Sequence, residues 1–186
     1  MKDITKRILA DAFKSLASTK NISTITVKEI TDKCGLKRQT FYNHFNDKYD
    51  LIKWIYLNEV ISKIENEDDW TVKYKEIFKY FLENKNMILN IYNCEAQNYL
   101  IHFILRQSKP IIEKVIDEKS KNYDIKEEDK NFLCLFYSGA LGSLIINWIE
   151  LGMNDEIDTL ISKVQLLLDG NINNYISMTK LNKCQK

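Results

Sequence analysis

The sequence is poor in the residues that form turns. It has five glycines and one proline among 186 residues, too few for the many turns of a β-sandwich or β-barrel. The same scarcity excludes a glycine-rich phosphate-binding loop. The apolar share, 45%, is sufficient for an ordinary hydrophobic core. We therefore expect a soluble, all-α protein of one domain, or of one small and one medium domain.

Chemically reactive side chains are also few and scattered. The two histidines, His44 and His102, lack the i+4 partner of a helical metal site, and no nucleophile motif is present. No signal peptide is recognised, so reduced cytoplasmic thiols are expected at the four widely spaced cysteines, Cys34, Cys94, Cys134 and Cys184. We expect neither an enzyme nor a protein with a bound metal or cofactor.

The net charge of +1 conceals an asymmetry along the chain. Residues 1–53 contain 11 Lys and Arg against 6 Asp and Glu, a balance of +5, whereas residues 54–186 contain 16 against 20, a balance of −4. A small basic unit on a mildly acidic body favours a phosphate-bearing partner, because the attraction acts through the local field. A solvated basic face without a partner is the alternative.

The first part of the chain has clear signals for short helices. Apolar residues at three- and four-residue steps predict a helix over 4–17. Thr26 and Glu29 have the spacing of a capping box, which predicts the start of a second helix. Gly35 suits the left-handed conformation that ends a helix, and a third helix is expected over 37–44. The pattern predicts two short helices joined by a glycine turn.

Longer helices are predicted beyond this turn. Asp47, with Asp50 three residues later, is a start signal for a fourth helix. Pro110 lies inside a later helix and predicts a kink or break near Lys109. The second helix is predicted over 26–33 and the fourth over 48–64. The later helices are predicted over 70–83, 86–94, 96–121, 127–151 and 155–178.

The segment 131–149 is free of charge for 19 residues, long enough to raise the question of a membrane span. Small and polar residues interrupt it, and 13 of the 18 residues over 132–149 are apolar. This composition favours a helix buried on all sides in a helical bundle, and we expect no membrane partner. Close approach of another helix is favoured by four small residues, Ser138, Gly139, Gly142 and Ser143.

Residues 26–45 have the spacing of a helix-turn-helix, in which the second helix enters the major groove. Phe41 and Phe45 are expected in the core that holds this helix at its angle. The polar residues of the second helix include phosphate donors and side chains that pair with base edges, namely Lys37, Arg38, Gln39, Thr40, Tyr42, Asn43 and His44.

At these residues the sequence resembles the TetR/AcrR family of one-component transcriptional regulators. The matching positions are Thr26, Val27, Ile30, Gly35, Leu36, Thr40, Tyr42, Phe45, Lys48 and Leu51. The resemblance implies a helix-turn-helix whose third helix recognises double-stranded DNA. It also implies a homodimer on a palindromic operator and a helical C-terminal domain for a small-molecule effector. Residues 37–43 further resemble the branch that includes regulators of dihydroxyacetone kinase operons, some of which activate.

The resemblance also implies roles for single residues. Phosphate contacts are expected at Thr26, Thr40, Tyr42 and Lys48, and contacts to bases or the adjoining backbone at Lys37, Arg38, Gln39, Asn43 and His44. Lys37 departs from the family pattern, which has Ser or Thr there, so the third helix loses its usual N-cap. A cation at this end opposes the helix dipole, and our hypothesis is that the DNA backbone relieves the cost.

The remaining expectations concern the rest of the chain. The predicted domains are 1–47 for DNA binding and 48–180 for effector binding and dimerisation, with a frayed tail at 181–186. The effector pocket is predicted to draw on Trp54, Tyr92, Tyr99, His102, Phe103, Arg106 and Trp148. The dimer interface is placed on the last two long helices and includes Gly139, Gly142 and Ser143, although packing within one subunit would explain the glycines equally well.

Several alternatives stay open at this point. A repressor is the first interpretation, and an activator or co-activator of a dihydroxyacetone kinase-type operon is the alternative. A metal-responsive regulator of the same fold would use Cys94, Glu95 and His102, which are close in sequence. An adaptor that kept the fold without binding DNA is a further class.

Overall fold

The computed structural model describes residues 2–123 and 125–181, in which ten α-helices, one 3₁₀ turn and one π-helical segment occur without any strand. The predicted all-α fold is confirmed. The elements are α1 (Lys2–Ala17), the 3₁₀ turn (Ile22–Thr24), α2 (Val27–Lys33), α3 (Arg38–Tyr42), α4 (Lys48–Ile55), the π segment (Tyr56–Ile61), α5 (Ser62–Ile64), α6 (Trp70–Glu83), α7 (Lys85–Tyr92), α8 (Gln97–Ser120), α9 (Glu127–Glu150) and α10 (Ile157–Leu181).

Helices α1 to α3 pack into a small unit whose apolar residues are continuous with the core of the rest of the described chain. Phe13 of α1, Ile30 of α2 and Phe41 of α3 are fully buried, and Phe41 lies 5.7 Å from the ring of Phe45. The predicted core position of Phe41 is therefore correct. Burying one such aromatic side chain contributes on the order of 2–3 kcal/mol, which fixes the angle of a helix too short to be stable alone.

The start and the end of α2 follow the sequence signals. The Thr26 hydroxyl accepts a hydrogen bond from the Glu29 amide at 3.2 Å, and the Glu29 carboxylate accepts one from the Thr26 amide at 2.8 Å. Hydrogen bonds from Lys20 and Thr26 lower the pKa of Glu29 to about 2. Gly35 follows with φ of +67°, a conformation that a Cβ disfavours. The predicted capping box and glycine turn are both present.

The helix that leaves this unit is not uniform. Asp47 caps α4 by accepting hydrogen bonds from the amides of Tyr49 and Asp50, both at 2.8 Å. The predicted helix over 48–64 begins as expected, but its middle is the π segment. A π-helical insertion is uncommon, weaker than the α-helix around it, and frequent at functional sites.

Helices α6 to α10 form the body, in which α8 and α9 are the most extensive pair. They run antiparallel, since Lys130 of α9 meets Asp117 of α8 at 3.0 Å and Gly142 lies against Leu105. A Cβ on Gly142 would come within 2.6 Å of a Leu105 methyl group. Gly142 therefore serves close packing inside one chain, which corrects its predicted place in the dimer interface.

Two further predictions about helices need correction. Of the kink or break predicted near Lys109, the break is absent, because helix α8 continues through Pro110; Pro110 is exposed, so the missing backbone hydrogen bond falls on the solvent side, where it costs least. Helix α9 is not buried on all sides, because Phe132, Leu135 and Phe136 are exposed. Its apolar residues fill both an inward and an outward face, which an uninterrupted apolar run does not distinguish.

Two predictions concern residues near the C-terminus that lie outside the described part of the chain. The tail predicted at 181–186 lies outside the described residues except for Leu181, the last residue of α10. Cys34, Cys94 and Cys134 are free thiols, and Cys184 lies outside the described residues.

Candidate functional site

Helix α3 presents a polar face opposite its buried side. Lys37, Arg38, Gln39 and Asn43 are exposed, and Tyr42 is 54% exposed. Thr40 and His44 are half-buried. The seven polar residues predicted on this helix thus lie on or beside one outward surface, whereas Phe41 and Phe45 anchor the opposite side.

The N-terminus of α3 is uncapped by any side chain. Lys37 occupies the cap position in an extended conformation and makes no side-chain hydrogen bond there. The loss of the usual N-cap was predicted from the sequence, and the geometry agrees. Free amides at this end are an attractive position for an anion.

Two amide side chains on α3 orient each other. The Gln39 amide nitrogen donates to the Asn43 carbonyl oxygen at 3.2 Å, one helical turn away. Each side chain keeps further donors and acceptors for an adenine edge. The hydrogen bond holds the two amide groups side by side on the exposed surface.

Thr26, predicted on a phosphate, is exposed but already engaged. Besides capping α2, its hydroxyl donates to a Glu29 carboxylate oxygen at 2.9 Å. A phosphate would have to displace the Glu29 carboxylate to receive that proton. The phosphate contact of Thr26 stays a prediction, and its capping role is the one that the structure supports.

Lys48 has different partners from the predicted phosphate. Its ammonium group donates to the backbone carbonyls of Ile22, Ser23 and Ile25 at 2.7, 3.0 and 3.1 Å. An ammonium has three protons, so all of them are used. Lys48 therefore fastens the start of α4 to the turn that precedes α2, a contact across more than twenty residues that the sequence does not reveal.

A second polar link joins the N-terminal unit to the body. The Glu59 carboxylate of the π segment accepts from the Lys14 ammonium of α1 at 2.7 and 2.8 Å and from the Tyr80 hydroxyl of α6 at 3.0 Å. Burial, and then the nearby Glu59 charge, raise the pKa of Tyr80. Because the carboxylate is three-quarters buried, this link is stronger than an exposed ion pair.

A third link closes the end of α1. The Asn90 side-chain amide of α7 donates to the carbonyls of Ala17 and Lys20 at 2.7 and 3.3 Å. The Ala17 carbonyl lacks a helical donor because Ala17 is the last residue of α1, and Lys20 lies three residues further on. Both α7 and the π segment are thus hydrogen-bonded to α1 or to the turn after it. Neither Glu59 nor Asn90 was predicted from the sequence.

A cavity of about 480 Å³ lies between α4 with the π segment on one side and α8 on the other. Four of the seven predicted effector residues line it, namely Tyr99, His102, Phe103 and Arg106. Four lining residues were missed, Lys53, Tyr56, Leu57 and Gln107. The four predicted residues are spaced about one helical turn apart in the sequence, which indicates a single face of α8. The residues of α4 and the π segment that face them could be identified only from the fold.

The other three predicted effector residues lie elsewhere. Trp148 is 1% exposed, packs edge-on against Phe78, and donates to the Asp155 carbonyl at 3.2 Å, so it is a core residue. Trp54 lines a separate polar cavity beside Glu59. Tyr92 is half-buried and lines neither cavity. The aromatic residue type by itself does not indicate whether a side chain lies in the core or lines a cavity.

The metal-responsive alternative has no site among the described residues. No group of three His, Cys, Asp or Glu side chains is placed there to hold an ion. The Cys94 thiol instead bonds the Ile91 carbonyl and the Ala96 amide, each at 3.3 Å. It belongs to the turn between α7 and α8, and Cys94, Glu95 and His102 form no ligand set.

The outer face of α9 is apolar and open. Phe132, Leu135 and Phe136 are all more than half exposed, and Gly139 and Ser143 continue the same face at helical spacing. Nothing lies within 4 Å of the position of a Gly139 Cβ. Helix α10 stacks Tyr175 on Phe132 with ring centroids 6.0 Å apart, and its Leu166 and Leu167 are also exposed. We call these exposed apolar residues of the two helices together the α9–α10 face.

Helix α9 is also long and apolar enough to cross a membrane. About 44% of its most apolar window is buried inside the fold. Length and composition alone are weak evidence, since a helix that packs in a protein core or against a second subunit has the same properties.

A basic helix-turn-helix with an exposed donor face, joined by one irregular helix to a helical body with a cavity, defines a DNA-binding regulator. Comparison with protein families agrees. Residues 8–55 match the model for bacterial regulatory proteins of the tetR family, and residues 68–170 match a model for a transcriptional regulator C-terminal region. The chain belongs to the TetR family of transcriptional regulators.

Named relatives within this comparison resemble the chain over most of its length. The HTH-type dhaKLM operon transcriptional activator DhaS of Lactococcus lactis subsp. lactis (strain IL1403) is 29% identical over 170 residues, 89% of each chain. A solved structure of a dihydroxyacetone kinase operon activator DhaS superposes with a TM-score of 0.75 at 28% identity, covering 91% of this chain and 96% of that one. The fatty acid degradation regulator FadR from Bacillus halodurans shares the fold, with a TM-score of 0.57 at 19% identity over 89% and 95% of the two chains.

Proposed function

We propose that this regulator binds a palindromic operator as a homodimer through α3 and responds to a small molecule in the cavity beside α4. The observation that supports it most directly is the α3 surface, on which Lys37, Arg38 and Gln39 are exposed while Phe41 on the other side is fully buried. The buried side of this helix is fixed by packing against the protein, and its exposed side is accessible to a partner.

The polar residues of α3 divide by chemistry. Arg38 matches the paired acceptors of a guanine edge, and Gln39 and Asn43 match adenine. Lys37, next to the open amides at the start of α3, suits a phosphate. Thr40, Tyr42 and His44 flank this surface and contact the adjoining backbone in our proposal.

A homodimer is supported by the α9–α10 face. Exposed apolar patches of this kind on soluble proteins mark interaction sites, and an interface formed by the same face of two copies has two-fold symmetry. Gly139 and Ser143 lie on this face, as predicted for the interface, while Gly142 does not. To read successive major-groove turns, the proposed dimer needs its two α3 helices about 34–36 Å apart.

Control by a ligand requires different affinities for DNA-competent and DNA-incompetent geometries. The cavity touches α4 and the π segment, Lys48 ties α4 to the turn before α2, and Glu59 ties the π segment to α1. A ligand that repositions this helix therefore changes the spacing of the two α3 helices. We expect a cognate ligand to shift thermal stability and operator affinity together.

The direction of regulation is taken from the relatives. Both DhaS proteins are named as activators, and the similarity extends over nearly the whole length of each. We propose activation of a dihydroxyacetone kinase-type operon, in the cytoplasm, in preference to repression.

The decisive experiment is selection of bound duplexes from a random pool by the purified protein. The expected product is a palindrome whose half-sites are one helical turn, about 10 base pairs, or a multiple of it apart. Sedimentation on the same preparation measures the dimer. A monomer that binds no duplex at low salt would contradict the proposal and favour the adaptor class.

A further inference from the structure

The cavity between α4 and α8 has an unbalanced charge. Lys53 of α4 and Arg106 of α8 line it from its two sides, His102 lines it one helical turn before Arg106, and the lining includes no Asp or Glu. Both cationic side chains are exposed, and among the described residues neither has an ion-pair or hydrogen-bond partner. The body that surrounds them is mildly acidic in sequence. Two unpaired cations facing one cavity favour a negatively charged occupant.

Apart from Gln107, the other lining residues of the cavity are aromatic or aliphatic. The ring of Tyr56 stacks on that of Phe103 with centroids 4.8 Å apart, and Leu57 is 41% exposed beside them. At the other end, Tyr99 stacks on Tyr49 at 5.3 Å with nearly parallel rings. Aromatic and aliphatic walls of this kind hold the carbon skeleton of a ligand, while a few polar groups fix its orientation.

The size of the cavity limits the ligand. Its volume of about 480 Å³ lies in the range of small-molecule sites. A guanidinium group binds a carboxylate or phosphate through two parallel hydrogen bonds, and an ammonium adds a third contact as a point charge.

We propose that the cavity binds a small organic anion, with a carboxylate or phosphate group held between Lys53 and Arg106 and an aromatic or aliphatic part against Tyr56, Leu57 and Phe103. The effect of this anion on DNA binding rests on the proposed function, whereas the binding of the anion to the cavity does not. Tyr56 and Leu57 are the first two residues of the π segment, so the ligand contacts the element that reaches α1 through Glu59.

The test is a titration of the full chain with four probes at constant ionic strength, followed by NMR of the Tyr, Phe and His ring protons. Benzoate and phenyl phosphate are the two anionic probes, benzyl alcohol is the neutral one, and inorganic phosphate lacks the apolar part. We expect saturable binding of at least one aromatic anion with a Kd of about 0.1–10 mM, typical of fragments. Benzyl alcohol and inorganic phosphate bind at least about tenfold more weakly, because each lacks one half of the recognition. The stronger of the two anionic probes identifies the anionic group.

Two variants and a control localise the site. Arg106→Gln and Lys53→Gln each weaken binding of the aromatic anion about tenfold or more, since each removes a charged hydrogen bond. Lys79→Gln removes a cation from the exposed face of α6, outside the cavity, and leaves binding unchanged. Far-UV circular dichroism establishes that all three variants are folded.

The outcomes separate this inference from the proposed function. No saturable binding of either aromatic anion, equal binding of benzyl alcohol, or equal affinity in Arg106→Gln, Lys53→Gln and the unaltered chain would each overturn it. Duplex binding is measured on the same preparations without any probe. Loss of duplex binding with intact anion binding would refute the proposed function alone, and the reverse result would refute the cavity ligand alone.

Discussion

The N-terminal unit and the C-terminal body bury their cores alike but expose opposite kinds of surface. The α3 face is polar and cationic, whereas the α9–α10 face is aromatic and aliphatic. A polar, charged surface suits a hydrated phosphate backbone, and an apolar one suits a second protein surface that excludes water. The contrast leads us to expect that the chain recognises DNA and its own copy through these two different regions, which α4 and the π segment connect.

The largest expected effect is on the core of the N-terminal unit. Phe41→Ala removes a fully buried ring and should lower the free energy of unfolding of this unit by about 3–5 kcal/mol. Thermal denaturation followed by circular dichroism, with a duplex-binding assay, measures the result. We expect DNA binding to be lost while the dimer persists, and simultaneous loss of both would show that the two regions do not fold separately.

The second largest effect is expected on dimerisation through the α9–α10 face. Phe136→Asp places a charge in the proposed interface and should cost about 2 kcal/mol or more of association free energy, roughly thirtyfold in the dimer Kd. Analytical ultracentrifugation measures that constant. Leu82→Asp, at an exposed apolar position on α6, is the matched control and should leave association unaltered. Equal dissociation in both variants would remove the interface from this face.

The specificity of α3 is expected to depend on one guanidinium. Arg38→Ala should cost about 1–3 kcal/mol on the selected duplex and much less on random duplex. Fluorescence anisotropy on both duplexes measures the difference. Identical losses on the two would assign Arg38 to the phosphate backbone.

Lys48 distinguishes a positioning role from a phosphate contact. Since its three protons are donated within the chain, Lys48→Gln should lower stability by about 1–3 kcal/mol and weaken binding without changing the salt dependence. A phosphate contact would instead flatten the salt slope by about one unit. Binding measured over a series of salt concentrations decides between them.

The smallest effect concerns the capping box. The folded-state pKa of Glu29, about 2, is below its ordinary value of 4.5, so its contribution is complete above pH 4.5 and is lost as pH falls toward 2. Glu29→Gln should therefore reduce the acid sensitivity of thermal stability in this range. Melting temperatures of both proteins from about pH 5 to about pH 2, a range that spans the two pKa values, test this expectation. Parallel curves would mean that Glu29 has no such role.

Prediction from the sequence succeeded where a feature depends on neighbours in the chain. The capping box of Thr26 and Glu29, the left-handed Gly35 and the missing cap at Lys37 are fixed by residues within four positions, so local spacing is sufficient. The family resemblance was carried by the same short segment, and the family models bear it out.

Prediction failed where a residue's partner is distant. For Gly142 the sequence left a dimer interface and packing within one subunit equally open, and Leu105 lies against it; Trp148 was assigned to a pocket, although it packs against Phe78 and donates to the Asp155 carbonyl. An apolar helix such as α9 has no polar stripe to mark its outward side, so its orientation was open until α8 was packed against it.

The sequence by itself determined most of the helices, the turn of the helix-turn-helix and the polar residues that α3 exposes, because helix signals and periodicity act over a few residues. Only the tertiary structure decided that Lys48 and Glu59 bind the two regions together and that Lys53 faces Arg106 across a cavity. Those relations depend on the packing of helices far apart in the chain, and the energies of that packing are shared among many side chains, none of which specifies its partner alone.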